Sequence, residues 1–142
     1  MTDGTVNPRI RQVVLDTSDV RGLAEFYRQL FGLVYRPGDE QPPAGEPDPL
    51  GSDWLVLRTP EGAPALAFQH VDELPRATWP SQEVPMQLHL DTEVPTVEAL
   101  EAAHRQALKL GARELLDRTD DPEEPLHVYA DPAGHPFCIF VG

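Results

Sequence analysis

The side chains able to do chemistry in this chain are few. Its single cysteine, Cys138, lies inside "DPAGHPFCIF" near the end, and there are five histidines: His70, His89, His104, His127 and His135. His89 stands in "PMQLHLDTEV", two residues before Asp91. In an extended strand both side chains leave the same face, so an imidazole and a carboxylate would line one wall. Such an imidazole can act as a general base or donate to a ligand oxygen. It can equally be a polar pocket residue bonded to a neighbour such as Gln12. Cys138 has three readings: metal ligand, nucleophile, or a small residue packed in a strand. The nucleophile needs a thiol pKa lowered by a nearby base or cation, whereas cysteine is among the most buried residue types. His135, between Gly134 and Pro136, reads as a turn or backbone-bonding residue. His104 reads as a solvated helix residue, and His70 points opposite to Gln69. His127 shares a strand face with Tyr129, as Trp54 does with Val56.

The elements that must position these groups follow from periodicity and punctuation. "IRQVVLDT" (10–17) predicts a strand, with Ser18 or Asp19 as N-cap of a helix whose apolar face is Leu23, Phe26, Tyr27, Leu30 and Phe31. Gly32 ends that helix in the left-handed manner, and "LVYR" is a short strand. Residues 37–52, with five prolines and three glycines, predict a long, mobile surface loop. "DWLVLRT" and "PALAFQHV" are two further strands. The plan then repeats: "PMQLHLDTEV" is a strand, and "TVEALEAAHRQALKLG" is a helix. Val97, Leu100, Ala103, Ala107 and Leu108 would form its buried side, and Gly111 its stop. "ARELLD", "PLHVYADP" and "HPFCIFVG" supply three more strands. Adding 77 maps Gln12 onto His89, Val20 onto Val97 and Leu23 onto Leu100. Each half is therefore strand, helix, strand, strand, strand, a duplicated unit whose copies bury their faces against each other.

Strand parity then sorts the candidates. Gln12 faces away from the first helix if Val13 and Leu15 face it. Gln87, His89 and Asp91 do the same if Leu88 and Leu90 pack on the second helix. Cys138 and Phe140 share that open side if Phe137, Ile139 and Val141 are core.

The chain's 142 residues suit one domain with a real core, and 40 % apolar content is ordinary for a globular protein. Its 24 acidic and 11 basic side chains give a formal charge of −13, a field that repels nucleic-acid backbones and anionic membranes. A lone thiol, and the lack of a leader-like or membrane-length apolar run, lead us to expect a cytoplasmic protein. The acidic runs "TDDPEE" and "GEPDP" read as solvated loops.

The repeat, with "DTSDVRGLAEFYRQLFGL" in the first half and "HLDTEVPTVEALEAAHRQALKLGA" and "DPAGHPFCIF" in the second, resembles the vicinal oxygen chelate superfamily. This is the glyoxalase/bleomycin resistance/extradiol dioxygenase superfamily, and the wording is closest to its small glyoxalase-like domain proteins. The resemblance implies an α+β fold of two βαβββ modules whose curved sheets surround a central cavity. It implies one domain over residues 8–142, with repeats at about 8–75 and 84–142 and a flexible N-terminus at 1–7. The implied pocket comprises Gln12, Val14, Trp54, Gln69, Gln87, His89, Asp91, Cys138 and Phe140. The family's four ligand positions fall on Gln12, Gln69, His89 and Cys138, where two amides and a thiol replace the usual histidine and carboxylates. No cofactor is therefore favoured, a divalent ion such as Zn²⁺ being the lesser option. Glyoxalase I and extradiol dioxygenase chemistry, which depend on a metal, are disfavoured. What remains is a lyase or isomerase acting on a small oxygenated substrate with His89 as catalytic residue. The alternative is a non-catalytic binding protein of the bleomycin-resistance type that sequesters an aromatic or cationic ligand, with Trp54, Trp79 and Phe140 as stacking surfaces. A structural or regulatory role without a ligand is the third reading. A small-molecule ligand and a homodimer are the expected partners.

Overall fold

The computed structural model describes Gly4 and residues 6–142; part of the expected flexible N-terminus, residues 1–3 and 5, lies outside the described residues. The first module runs β1 (Val13–Thr17), α1 (Val20–Phe31), β2 (Val34–Tyr35), β3 (Trp54–Arg58) and β4 (Pro64–His70). The second runs β5 (Leu90–Val94), α2 (Val97–Leu110), β6 (Arg113–Arg118), β7 (Leu126–Ala130) and β8 (Pro136–Val141). Each module forms its own four-stranded sheet, ordered β1-β4-β3-β2 and β5-β8-β7-β6, with the first pair in each parallel and the others antiparallel. The two βαβββ units of the sequence reading are thus present. Their spacing also holds: β1 and β5 begin at 13 and 90, α1 and α2 at 20 and 97, each 77 apart.

The helices form where the caps allow. Asp19, rather than Ser18, accepts the free N–H of Gly22 at 3.0 Å, and Thr96 accepts that of Ala99 at 3.0 Å. Gly32 (φ 65°) and Gly111 (φ 113°) close them in the left-handed conformation that a Cβ would resist. On α2 the apolar face is narrower than the sequence suggested. Leu100 and Ala107 are buried, but Val97 and Leu108, which sit together at the edge of that face, are about half exposed (47 % and 43 %). His104 is the second correction. It is half-buried against sheet 2, its ring stacked 4.0 Å from that of His127, not solvated.

One core serves both modules. The helix-facing side chains are Leu15, Leu55, Leu57, Leu66 and Phe68 in sheet 1, and Tyr129, Phe137 and Ile139 in sheet 2. Helix α1 lies against both sets. The Tyr27 ring stacks on Phe68 with centroids 6.1 Å apart, and Phe26 and Tyr27 each present an edge to Phe137 at 5.9 Å. Burial of such a ring is worth about 1.5–3 kcal/mol, so the aromatic cluster is a principal apolar tie between the halves.

A polar tie crosses the same seam. Asp131, fully buried in the β7–β8 turn, accepts the Tyr27 hydroxyl at 2.6 Å through Oδ2. Its Oδ1 accepts the backbone N–H groups of Ala133, Gly134 and His135 at 2.8, 2.9 and 3.0 Å. Burial pushes the Asp131 carboxyl above its ordinary range, and these four donors work against that shift by favouring the carboxylate. His135, expected to bond backbone, does so across the seam: its Nε2 lies 2.7 Å from the carbonyl oxygen of Asp16.

The long proline-rich segment is fastened rather than free. Arg21, buried on α1, gives a two-pronged ion pair to Asp48 (2.8 and 2.9 Å) and donates to the carbonyl of Asp39 at 2.7 Å. Asp39 in turn accepts the Val56 N–H at 3.0 Å. Asp48 belongs to "GEPDP", so that acidic run is not wholly solvated.

Replacing Tyr27 with Phe leaves the buried Asp131 oxygen short of its side-chain donor, which should cost about 1–3 kcal/mol. Urea denaturation checks this; a midpoint equal to that of the unaltered protein would show that the hydroxyl does not hold the seam.

Candidate functional site

Because α1 and α2 cover one face of each sheet, most of the candidate residues lie on the opposite faces. On sheet 1 this face carries Val14 and Asp16 of β1, Ala67 and Gln69 of β4, and Trp54 and Val56 of β3, following the pairing Asp16↔Gln69↔Trp54 and Val14↔Ala67↔Val56. Beside it opens a cleft of about 330 Å³ lined by Arg11, Gln12, Arg36, Trp54, Val56, Arg58 and Pro64. Arg11 and Arg58 bring positive charge to this cleft, while Arg36 is ion-paired with Asp39 at 3.1 Å.

On sheet 2 the corresponding face carries Asp91 of β5 opposite Cys138 of β8, and Glu93 opposite Phe140. His89 immediately precedes β5, with Nε2 3.2 Å from Asp91 Oδ1. The Cys138 thiol donates to the same oxygen across 2.7 Å. Asp91 therefore stands between the imidazole and the thiol. Nε2 is thus the ring nitrogen that faces Asp91, and Nδ1 makes no hydrogen bond among the described residues. Both His89 and Asp91 are substantially exposed (44 % and 59 % of their side chains). The His89 partner is thus Asp91, not Gln12.

The thiol is pushed up to about 12, first by burial and then by the hydrogen bond to Asp91 and the charges of Asp91 and Glu124. Burial and the adjacent Asp91 carboxylate favour the protonated thiol, which weighs against the nucleophile reading even with the His89 imidazole within 4.8 Å. It is half-buried, not fully packed away.

The nine residues expected to line one pocket are divided among separate places. His89, Asp91 and Cys138 come together, with Phe140 one strand position pair further along β8. Gln12 and Trp54 share the arginine cleft, and Gln69 is exposed on β4 opposite Trp54. Val14 and Gln87 line a third cleft, of about 240 Å³, with Asp16, Met86, Leu88 and His135. Here the strand reading of "PMQLHLDTEV" is corrected: β5 begins only at Leu90, so Leu88 does not pack on α2 but is 47 % exposed along this cleft. The cause is the chain between the modules, whose Arg76 donates to the Pro132 carbonyl at 2.9 Å and leads the segment past the β1 edge before pairing can start.

The same division bears on metal binding. Of the four positions implied by the family, Gln12 and Gln69 in the first module offer only amides and do not supply a set of His, Cys or carboxylate donors. His89, Asp91 and Cys138 do, with one ligand atom from each within 4.8 Å of the others. Imidazole, carboxylate and thiolate suit a thiophilic ion such as Zn²⁺, which would polarise a substrate oxygen when bound. Binding would first have to displace the firmly held thiol proton. Asp91 as a third donor was not foreseen, because the comparison of strand positions assigned it to the pocket wall alone. The arginine cleft was not foreseen either, since Arg11, Arg36 and Arg58 are far apart in sequence. A second set, His104, Glu114 and His127, lies on the helix side of sheet 2.

The glyoxalase-like domain model matches residues 12–140, and the chain belongs to that family, within the glyoxalase/bleomycin resistance/dioxygenase superfamily. Solved structures share the fold. A glyoxalase/bleomycin resistance protein/dioxygenase family enzyme from Burkholderia phytofirmans PsJN is 18 % identical, with a TM-score of 0.66 over 92 % of this chain and 96 % of that one. A glyoxalase/dioxygenase from Nostoc punctiforme is 18 % identical (TM-score 0.62, 99 % and 98 % covered). The fosfomycin resistance protein FosX from Listeria monocytogenes is 13 % identical (TM-score 0.66, 96 % and 95 % covered). At these identities the likeness is one of fold. No curated protein matches the sequence. Among the described residues no helix is long and apolar enough to cross a membrane.

Alkylation of Cys138 by iodoacetamide at pH 8 should be at least about 100-fold slower in the native protein than in urea, since thiolate falls tenfold per unit of pKa. Asp91→Asn, which removes the acceptor and its charge, should accelerate it. By the same raised pKa, the thiol's contribution to stability is complete below the ordinary thiol value of 9.0 and is lost as pH climbs toward about 12. Equal alkylation rates in folded and unfolded protein would contradict the protonated-thiol reading.

Proposed function

We propose that the chain handles a small, anionic, oxygenated molecule and acts on it by proton transfer, as a lyase or isomerase, with His89 as general base and Asp91 as the group that orients it. The observation carrying this reading is the 3.2 Å contact of His89 Nε2 with Asp91 Oδ1, which leaves Nδ1 free to take a proton. The Cys138 thiol occupies the second site on Asp91 Oδ1 and keeps the carboxylate turned toward the ring. This reading needs no metal on the open face of sheet 2, and metal analysis of purified His89→Ala against unaltered protein tests that part: a stoichiometric ion lost with His89 would replace it by metal catalysis.

The substrate charge rests on the first module. The overall charge of −13 suggested a cationic ligand, but the cleft at Trp54 holds Arg11 and Arg58, which attract anions, beside the Arg36–Asp39 pair. That same cleft supports the non-catalytic alternative, capture of an aromatic anion stacked on Trp54 without reaction. A homodimer joins the two readings. Since the arginine cleft and the His89 group belong to different modules, a second copy that faces one module's sheet with the other's would bring both to one ligand. A small-molecule role in the cytoplasm is part of the same proposal.

Thermal-shift titration with 2-oxo acids, phosphonates and cationic aromatic dyes discriminates between these. Saturable stabilisation by anions, weakened by Arg58→Gln, is expected, as is deuterium uptake into a bound 2-oxo acid that His89→Ala abolishes. Binding without exchange would leave the capture reading. Stabilisation by the cationic dyes alone would overturn the substrate class, and a monomeric mass with full activity would remove the dimer.

A further inference from the structure

The second donor set lies on the opposite side of sheet 2 from His89, beneath α2, and none of the foregoing uses it. His127 on β7 is 5 % exposed. Its Nδ1 is 3.2 Å from Glu114 Oε1 on β6, and the other oxygen of that carboxylate is 3.6 Å from His104 Nε2 on α2. His104 Nδ1 is held by the Tyr129 hydroxyl at 2.7 Å. Three elements thus bring two imidazole nitrogens and a carboxylate together, with all three ligand atoms within 4.8 Å of one another.

A strand irregularity builds the set. Tyr129 pairs with Glu114 and His127 with Asp117, but Val128 pairs with Leu116, so the register shifts between Glu114 and Leu116. Residues three apart on a regular strand face opposite ways. The bulge instead turns both Glu114 and Asp117 toward α2, beside Tyr129 and His127, and re-aiming a side chain is what such bulges do. Asp117 is a second carboxylate, near enough for His127 and His104 to act on its charge.

We infer that His104, Glu114 and His127 form a second-module site for a divalent transition-metal ion, Zn²⁺ being the best match to two imidazoles and a carboxylate. Zinc bonds of about 2.0–2.1 Å in tetrahedral geometry put neighbouring ligand atoms about 3.3 Å apart. The His127 Nδ1–Glu114 Oε1 and His104 Nε2–Glu114 Oε2 separations of 3.2 and 3.6 Å lie near that value, one to each oxygen, so Glu114 would offer the ion both. The support of the ligands is also present. With an ion on Nε2, the His104 ring carries its proton on Nδ1 and donates it to the Tyr129 hydroxyl oxygen, the outer hydrogen bond that metal-bound histidines ordinarily make. Without an ion the rings are stacked, 14° from parallel. Both ring planes must pass through a shared ion, so binding splays the imidazoles, with the Tyr129 bond as pivot. The partly exposed edge of His104 and Glu114 (23 % and 29 %) gives the ion an entry path and room for water as fourth ligand. An acidic chain draws cations to it. The site links α2 to β6 and β7, so its role is to brace the second module, independently of the His89 reading.

The test is Zn²⁺ titration, and Co²⁺ absorption spectroscopy, on the whole chain. The expected result is a saturable ion bound with tetrahedral Co²⁺ bands and without thiolate charge-transfer absorption, together with a rise in melting temperature. Binding should persist in Cys138→Ser and His89→Ala and disappear in His104→Gln and Glu114→Gln. Tyr129→Phe should weaken it about 10-fold or more through the lost outer bond. His104 and Glu114 are partly exposed, so their variants fold when His127 variants do not, and circular dichroism verifies this. If two ions bind, loss of the thiolate-free one in His104→Gln supports the site. No binding to the unaltered chain, or binding that carries thiolate absorption and vanishes only in Cys138→Ser, overturns it while leaving the His89 acid–base reading to its own tests.

Discussion

The hydroxyl of Tyr27 reaches Asp131 across 104 residues of chain, and the geometry of both modules is arranged around that contact. Asp131 has no access to water, so its oxygens must be satisfied within the protein or its burial would cost several kcal/mol. Three backbone N–H groups of its own turn satisfy one oxygen, and the other depends on a helix from the first module. The turn that leads into β8 is consequently shaped by the docking of α1. Phe137, three residues beyond Gly134, then meets Phe26, Tyr27 and Phe31 as an edge-on cluster. The register of β8, which presents Cys138 to Asp91, follows from this seam.

Joining the modules through their helix-covered faces settles where chemistry can occur. The strand faces turned from the helices hold the polar groups, and each module contributes something different. The first offers positive charge and an indole, the second an imidazole steered by a carboxylate. Gln12 and His89 occupy equivalent places 77 residues apart, so the duplication that made the fold also set an amide where its copy has a base. The thiol at Cys138 bonds Asp91 instead of supplying a carboxylate of its own, and its neighbourhood keeps it protonated.

Much of this was legible in the sequence where the determinant is local. Alternation along β1 and β8 separated Leu15 from Val14 and Ile139 from Cys138 correctly, because side-chain parity in a strand needs no knowledge of the partner. Asp19, Gly32 and Gly111 marked helix ends by their own backbone and side-chain chemistry. The failures share a different cause. His104 read as solvated because the bulge at Glu114–Leu116, which brings Glu114 under the helix, leaves no trace in local composition. Asp48 read as loop charge because its partner, Arg21, is 27 residues earlier on a helix. Leu88 fitted the strand pattern but lies where the linking segment is still held by the β7–β8 turn. The predicted common pocket divided for the same reason: parity tells which face a residue takes, and not which other face it meets.

A shared core with polar ties at Tyr27–Asp131 and His135–Asp16 predicts that the modules do not melt separately. The direct measurement is urea unfolding followed in parallel by the fluorescence of Trp54 and Trp79, which report on the first module and the linking segment, and by the amide resonances of β8, such as Ile139. Coincident midpoints for all probes are the predicted result for a single cooperative unit. Loss of the β8 resonances at a lower urea concentration, while tryptophan fluorescence stays native, would contradict it.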